Sequence, residues 1–163
     1  MEEFDWLSLD SDEEIQWKGQ PRIKSVIPAV IIGLPLSIFG VGLLIIIGAY
    51  LSVKNTYYVV TSNGVYRKKG VLSRDVQKIG FDKIQNISFS QGLFGNYFGY
   101  GNVEISTAGG QGVEMRFRSI REPKKVQDLI NKRIKTDSSE GEASRDEVLQ
   151  EILQELREIN SKL

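Results

Sequence analysis

The longest uncharged stretch of this chain is the feature that most restricts its fold. Between Lys24 and Lys54 lie 29 consecutive residues without a charged side chain. About 20 apolar residues are enough to cross the hydrocarbon core of a bilayer, so residues 25–53 predict a membrane segment. The residues before it are acidic, whereas a cleaved signal peptide begins with basic ones. We therefore predict a protein of the cell membrane.

Two arrangements of this membrane segment are open. A single helix of this length would measure about 43 Å, well beyond the ~30 Å hydrocarbon core. Because Pro28, Pro35 and several glycines interrupt it, a single span would be tilted or kinked. A short hairpin that bends near Pro35 or within residues 37–40 also fits, provided that it does not cross fully. Basic residues on both flanks leave the orientation undecided, and we lean towards the single span.

Charge divides the chain into three parts, although the formal net charge is zero. Residues 1–24 contain three basic and seven acidic side chains, a net charge of −4. Residues 54–135 contain fifteen basic and six acidic ones, a net of +9, and residues 136–163 contain three and eight, a net of −5. Such asymmetry is informative about partners. It predicts an acidic leader at the membrane interface, a basic domain and an acidic tail.

The chain contains neither cysteine nor histidine. The first absence excludes disulfides and thiolate metal sites. The second removes the usual general base at neutral pH and the commonest metal ligand. The sequence therefore predicts no metal site, no cofactor and no catalytic residue, and an enzyme is the weakest interpretation.

Residues 54–135 predict a mainly β domain of six or seven antiparallel strands. Asn63–Gly64 is typical of a tight turn between two strands, at residues 56–61 and 65–70. Residues 92–101 are too rich in glycine to form the interior of an element. Pro123 is typical of the first turn of a helix, which we expect to cap the domain and to run to residue 135. The buried face of a later strand pair consists of apolar residues that alternate with polar ones, namely Val103, Ile105, Val113, Met115 and Phe117.

A set of aromatic, glycine and turn residues recurs in a recognisable order between residues 57 and 110, namely Tyr58, Thr61, Gly64, Arg67, Gly70, Phe81, Ile84, Phe98–Gly99, Gly101 and Thr107–Ala108–Gly109. With this pattern, residues 57–110 resemble the prokaryotic pleckstrin-homology-like, membrane-flanking domain family. The leader at residues 12–21 also resembles the tryptophan-containing segment that often precedes the membrane part in this family. The resemblance implies a split barrel of two near-orthogonal sheets capped by the helix at 123–135, and it implies no reaction. Members commonly carry two membrane helices before the domain, for which this segment is too short.

A basic cluster follows the membrane segment and consists of Arg67, Lys68, Lys69, Arg74 and Lys78. It predicts a patch for lipid headgroups, since an anionic leaflet attracts each nearby cation by roughly 1 kcal/mol. The alternative is a solvated hairpin that only reflects the bias of basic residues towards the cytoplasm. Nucleic acid is not a predicted partner, because no recognition motif is present and a tethered domain has anionic lipid close by.

Aromatic residues interleave with glycines at 92–101. Phe94, Tyr97, Phe98 and Tyr100 would form a loop that docks on a partner or dips into the membrane. The alternative is that they close a corner of the sheet, which is the commoner role of such clusters.

The C-terminal residues predict a linker and a last helix. Residues 136–143 form the linker, and Ser144 and Glu147 form a capping box that opens an acidic amphipathic helix at 144–163. This helix would mediate self-association or bind a protein partner, or it would fold back on the basic domain. Its apolar stripe follows coiled-coil spacing and consists of Leu149, Ile152, Leu156, Ile159 and Leu163.

These features together predict a non-enzymatic, membrane-anchored interaction module. The domain would lie at the cytoplasmic face and bind anionic lipid, protein partners or both. The alternative function is an auxiliary subunit of a membrane transport or envelope-stress complex. In that case the membrane segment would pack against other helices through small residues, namely Gly33, Gly40, Gly42 and Gly48.

Overall fold

Two antiparallel sheets contain the seven strands formed by the described residues. The computed structural model describes residues 6–7, 9–71, 74–110 and 112–161. The first sheet has the order β1-β2-β3-β4, with β1 at Ile15–Gly19, β2 at Thr56–Thr61, β3 at Gly64–Lys69 and β4 at Asp75–Gly80. The second has the order β5-β6-β7, with β5 at Ile84–Ser90, β6 at Tyr100–Thr107 and β7 at Val113–Arg121. The predicted number and antiparallel arrangement of strands are confirmed.

Strand β1 comes from the leader, where no strand was predicted. It pairs with β2, so that Trp17 lies opposite Val60 and Gly19 lies opposite Tyr58. The predicted domain boundary at residue 54 is therefore wrong, because the first sheet already begins at Ile15. Five residues without regular alternation give no local strand signal, and their partner lies about 40 residues further along the chain.

The uncharged segment between β1 and β2 forms a helical hairpin. Helix α1 spans Ile27–Leu36, helix α2 spans Val41–Lys54, and a short 3₁₀ turn at Ser37–Phe39 joins them. Gly40 has a φ of +75°, a left-handed conformation that favours glycine at this bend. The chain thus forms the hairpin alternative and not the preferred single span. Among the described residues, no helix has both the length and the apolarity needed to cross a membrane.

The two hairpin helices approach each other closely at glycines. A side chain at Gly42 would collide with the carbonyl oxygen of Gly33, and both glycines are buried. Small residues permit this kind of close backbone contact between helices in apolar surroundings. The hairpin therefore uses two of its four glycines for its own packing.

The hydrophobic core lies between the two sheets. Phe117 stacks on Tyr58, with ring centres 4.6 Å apart, and Trp17 of β1 lies 6.1 Å from the same ring. The predicted inward positions Val103, Ile105, Met115 and Phe117 are each 0% exposed. Val113 was expected beside them but is 45% exposed, since the pairing of β6 with β7 shifts register between Ile105 and Ser106. Such a bulge turns the following side chain to the other face.

A buried carboxylate holds the leader against the first sheet. The Glu13 side chain is fully buried and accepts hydrogen bonds from Thr61 Oγ1 at 2.5 Å and from Tyr66 Oη at 3.0 Å. Lys78 Nζ is the third donor and bonds Glu13 Oε2 at 3.3 Å. Burial alone would raise the pKa of Glu13, but these bonds together lower it below its ordinary value. The carboxylate is therefore charged and fully bonded, as a buried charge must be.

A single long helix, α4, ends the described chain. It runs from Pro123 to Ser161, begins at the predicted residue, and packs Val126 and Ile130 into the core. The predicted linker at 136–143 is wrong, because these residues are helical. Extending an existing helix costs little, and the Ser138 hydroxyl bonds back to the Ile134 carbonyl oxygen at 2.8 Å.

Candidate functional site

The hairpin presents an almost continuous apolar surface. At its bend Ile38 is 85% exposed, and on α2 Leu44 is 70% exposed. A contiguous exposed apolar surface of this kind usually marks a contact with lipid or with another protein. The other large exposed apolar side chains of the hairpin are Ile31, Ile32, Leu34, Leu36, Val41, Leu43, Ile45, Ile47 and Tyr50.

Both ends of the hairpin return to the same place in the domain. Helix α1 follows β1, helix α2 leads into β2, and these two strands are neighbours in the first sheet. Lys24 and Lys54 lie at the two ends of the hairpin. The foot of the hairpin is therefore polar and positively charged, while its bend is apolar.

A cavity of about 260 Å³ lies at this foot, and we call it the basic cleft. Its floor includes Tyr58, which is 2% exposed, and Arg67 lies directly opposite Tyr58 across the β2–β3 pair. Besides Tyr58, four serine and threonine residues line it, namely Ser25, Ser52, Thr56 and Ser119. Four cations also line it, namely Arg67, Lys69, Arg116 and Arg118.

Two of the four cations have carboxylate partners. Arg67 Nη2 lies 3.7 Å from Asp75 Oδ2, and Arg116 Nε lies 2.9 Å from Glu104 Oε1. The second contact is close but lacks hydrogen-bond geometry, since Arg116 Nε, like Arg67 Nε, has no hydrogen-bond partner among the described residues. This contact is therefore electrostatic, without a formed hydrogen bond. Among the described residues, two arginine N–H groups are thus buried at the cleft without a hydrogen bond.

The other two cations of the cleft differ from these two. Within the described part of the chain, neither Lys69 nor Arg118 forms an ion pair. The Tyr58 hydroxyl accepts a hydrogen bond from the Arg118 amide at 2.9 Å. Burial raises the pKa of Tyr58, so its hydroxyl stays neutral. The cleft therefore combines excess positive charge with neutral hydroxyls, which is a suitable environment for an anion.

The structure separates the five residues of the predicted basic cluster. Arg67 and Lys69 line the cleft, whereas Lys68 points to the other side of β3, where its Nζ lies 5.6 Å from the ring centre of Tyr57. Lys78 is engaged with Glu13, and Arg74 is exposed beside residues 72–73, which lie outside the described residues. The five residues do not form one patch.

Sequence reasoning missed Arg116 and Arg118 as cleft residues. They alternate with the core residues Met115 and Phe117, so they were interpreted as an ordinary solvent face. Alternation does identify that face correctly. It cannot indicate that the face meets the foot of the hairpin, because that contact joins distant parts of the chain.

The aromatic segment forms a short helix, α3, at Leu93–Phe98, where an irregular loop was predicted. Tyr100 is buried and stacks at 6.5 Å from Phe98, as expected of residues that close a corner of the sheet. Phe94 and Tyr97 are 50% and 85% exposed. Lys24 Nζ lies 5.6 Å from the Phe98 ring centre, so α3 lies beside the start of the hairpin.

The C-terminal stripe is exposed. Leu149, Ile152 and Leu156 are 56%, 47% and 56% exposed, so this part of α4 does not fold back on the domain. The side chain of Ile159 and the whole of Leu163 lie outside the described residues. The stripe stays available for a partner.

The comparison with known families identifies the domain. A family model described as bacterial PH domain matches residues 15–134. The chain belongs to the bacterial PH domain family. The match begins at β1, in agreement with the corrected boundary, and the matched range includes the hairpin between β1 and β2. PH domains generally mediate lipid or protein interactions.

Further comparisons add little to this assignment. The solved structures include a pleckstrin homology domain from Shewanella amazonensis SB2B with 13% sequence identity and a TM-score of 0.45, covering 75% of each chain. No curated protein matches the chain.

Proposed function

We propose that this PH domain is a non-catalytic interaction module held against the cytoplasmic face of the cell membrane by its helical hairpin. The observation that carries this proposal is the exposed apolar surface of the hairpin, which rises from a positively charged foot. An apolar tip and a basic base match the order of hydrocarbon and anionic headgroups in a leaflet.

The length of the hairpin suits insertion into one leaflet. At 1.5 Å per residue, the 10 residues of α1 span about 15 Å and the 14 residues of α2 about 21 Å. The hydrocarbon core of a bilayer is ~30 Å thick. The hairpin would therefore enter the core and return without crossing it.

The bend of the hairpin is suited to hydrocarbon because its polar groups bond internally. The Ser37 hydroxyl donates to the Leu34 carbonyl oxygen at 2.6 Å, and the Gly40 amide donates to the Ser37 carbonyl oxygen at 2.9 Å. Backbone groups left unbonded in lipid would cost several kcal/mol each. These bonds support insertion with the bend leading.

Helix α3 supports the same orientation. It lies beside Lys24 at the start of the hairpin and exposes Leu93, Phe94 and Tyr97. Aromatic side chains favour the membrane–water interface. With the hairpin inserted, these side chains would lie at headgroup level.

The proposal predicts that charges at the bend abolish membrane binding. The double variant Ile38→Asp/Leu44→Asp should lose vesicle binding, because each aspartate costs about 3 kcal/mol in the hydrocarbon region. The full chain would be mixed from detergent with phosphatidylglycerol–phosphatidylcholine vesicles and separated by flotation. We expect the wild type to float and the variant to remain at the bottom.

A matched variant controls for the added charge. Val76→Asp/Phe89→Asp also places two aspartates at exposed apolar positions, which are 43% and 40% exposed, but outside the hairpin. It should float like the wild type. Equal flotation of the bend variant, or equal loss in both variants, would contradict membrane insertion of the hairpin.

The auxiliary-subunit function has less support. The packing of Gly33 against Gly42 within the hairpin leaves only Gly40 and Gly48 with open space for a neighbouring helix. A wild-type chain that fails to float alone, but purifies with a stoichiometric membrane partner, would favour that function instead.

A further inference from the structure

We propose that the basic cleft is a binding site for a phosphate group, with the headgroup of an anionic lipid as the ligand that the proposed membrane position would supply. The cleft provides Arg67, Lys69, Arg116 and Arg118 around about 260 Å³. Against these four cations stand only Asp75 and Glu104 among the described ion-pair partners. This inference rests on the proposed function for the source of the ligand, but not for the chemistry of the site.

The donors of the cleft suit a phosphate rather than a carboxylate. Arginine presents several N–H groups in a planar fork that matches phosphate oxygens. The buried Nε atoms of Arg67 and Arg116 have no hydrogen-bond partner among the described residues, and buried polar groups are rarely left in that state. The Ser25 and Thr56 hydroxyls already donate to backbone carbonyl oxygens, at 2.6 Å and 2.7 Å. The neutral Tyr58 hydroxyl, which accepts from the Arg118 amide, keeps its own hydrogen as a further donor for a phosphate oxygen.

The position of the cleft suits a headgroup. It lies between Pro21 and Ser25 before the hairpin and Ser52 and Val53 at the end of α2. When the apolar hairpin lies in hydrocarbon, this level of the molecule coincides with the phosphate layer of the leaflet. A phosphate would then reach the cleft without leaving the membrane surface.

The test removes the two cations that have no ion-pair partner. Lys69→Gln/Arg118→Gln should preserve the fold, since neither substitution leaves a carboxylate unpaired in the described structure. The first measurement is calorimetric titration of inorganic phosphate into the full chain in a neutral detergent. The second is flotation at limiting lipid, in which vesicles that contain phosphatidic acid are compared with vesicles of phosphatidylcholine alone, because the hairpin by itself would bind both. We expect phosphate binding to weaken at least about tenfold, because bonds to charged groups are strong.

A control variant removes the same charge elsewhere. Lys83→Gln/Lys132→Gln changes two exposed lysines outside the cleft and should bind phosphate within about twofold of the wild type, as expected for surface charges. Circular dichroism of both variants checks that the sheets are intact.

The two measurements separate the sources of the phosphate. Weaker binding of the cleft variant in both assays supports a lipid headgroup, and weaker binding of inorganic phosphate alone supports a soluble phosphate compound in the same cleft. No phosphate binding by the wild type, or equal loss in the control, would overturn the site. The bend variant Ile38→Asp/Leu44→Asp should lose flotation yet keep phosphate binding, so failure of membrane insertion is distinguishable from failure of the cleft.

A second, independent observation concerns the exposed stripe of α4. Within α4, its spacing of three and four residues places Leu149 and Leu156 at a positions of the heptad and Ile152 and Ile159 at d positions. In the sequence, Leu163 continues the same spacing. In parallel coiled coils, leucine at a with isoleucine at d favours three or four strands over two. Val148 and Leu153 flank the stripe at g and e and are 51% and 52% exposed, which widens the apolar face.

We infer that copies of this chain assemble through residues 145–161 of α4 into a parallel bundle of three or four helices. In a parallel bundle, each g position of one helix faces an e position of the next. Val148 would then face Leu153, and Glu155 would face Asn160. No like charges are opposed, so copies of the same chain fit this face. A parallel arrangement also keeps every hairpin on the same side of the bundle.

Exchanging leucine and isoleucine between the a and d positions tests this assembly. The variant is Leu149→Ile/Ile152→Leu/Leu156→Ile/Ile159→Leu/Leu163→Ile. It should shift the full chain in detergent to a dimer, since isoleucine at a with leucine at d favours two strands. Sedimentation velocity, corrected for bound detergent, measures the mass. The control Gln150→Ala/Gln154→Ala, off the stripe, should leave the mass unchanged. A wild-type monomer or dimer, or a mass unaffected by the exchange, would overturn the inference.

Discussion

A fragment of residues 54–135 will fail to fold, whereas a chain that lacks only the hairpin will keep both sheets. The fragment has lost β1, so Trp17 no longer covers Phe117 and strand β2 becomes an unprotected edge. It has also lost Glu13, which bonds two buried hydroxyls of the first sheet. Circular dichroism and amide-proton dispersion in NMR spectra would measure the loss of structure.

The hairpin-deleted chain is the matched control for this fragment. Residues 9–22 would be joined to residues 55–137 by a short glycine–serine linker. Because Gly19 already lies opposite Tyr58 in the β1–β2 pair, a short loop closes the gap without strain. This chain should give a dispersed spectrum. A well-folded 54–135 fragment would show that β1 is dispensable and that the first predicted boundary was adequate.

Replacing Glu13 by alanine will destabilise the protein by about 3 kcal/mol. The substitution removes the acceptor of two buried hydroxyls and the partner of Lys78. Thr61 Oγ1 keeps its bond to the Gly64 carbonyl oxygen at 3.0 Å, whereas the Tyr66 hydroxyl and Lys78 lose their carboxylate partner. A buried polar group left unbonded costs more than its bond contributes. Urea unfolding of the full chain in a mild detergent, followed by tryptophan fluorescence, measures the free energy of unfolding.

The neighbouring Glu14 provides the control for Glu13. It is exposed and bonds to Ser62 only through its backbone, so Glu14→Ala should change stability by less than about 0.5 kcal/mol. Equal losses in both variants would show that the leader is held by its backbone and not by the buried carboxylate.

The same carboxylate predicts a dependence of stability on pH. Folding lowers the pKa of Glu13 below its ordinary value of 4.5. The resulting stabilisation is therefore complete above the unfolded pKa and disappears as the pH falls through the folded value. The difference in unfolding free energy between the wild type and Glu13→Gln should shrink as the pH is lowered below 4.5. A difference that stays constant in this range would mean that the charge of Glu13 contributes nothing.

The sequence by itself determined the features that local pattern encodes. Alternation over Val103–Thr107 and Met115–Phe117 predicted buried and exposed faces because successive strand residues point to opposite sides. Pro123 predicted the start of α4 because proline is best tolerated in the first turn of a helix, where its missing N–H has no intrahelical partner to lose. The long uncharged segment was evident from composition, although its single-span interpretation was wrong.

Only the tertiary structure decided the features that depend on distant pairs. Glu13 bonds Thr61 across 48 residues and Tyr66 across 53, and nothing in the pattern of either segment indicates its partner. The basic cleft likewise draws its cations from β3 and β7 and its rim from both ends of the hairpin. Alternation gives the face of each side chain, but the meeting of two faces depends on how sheets and helices pack. The candidate site is therefore a property of the packed chain and not of any one segment.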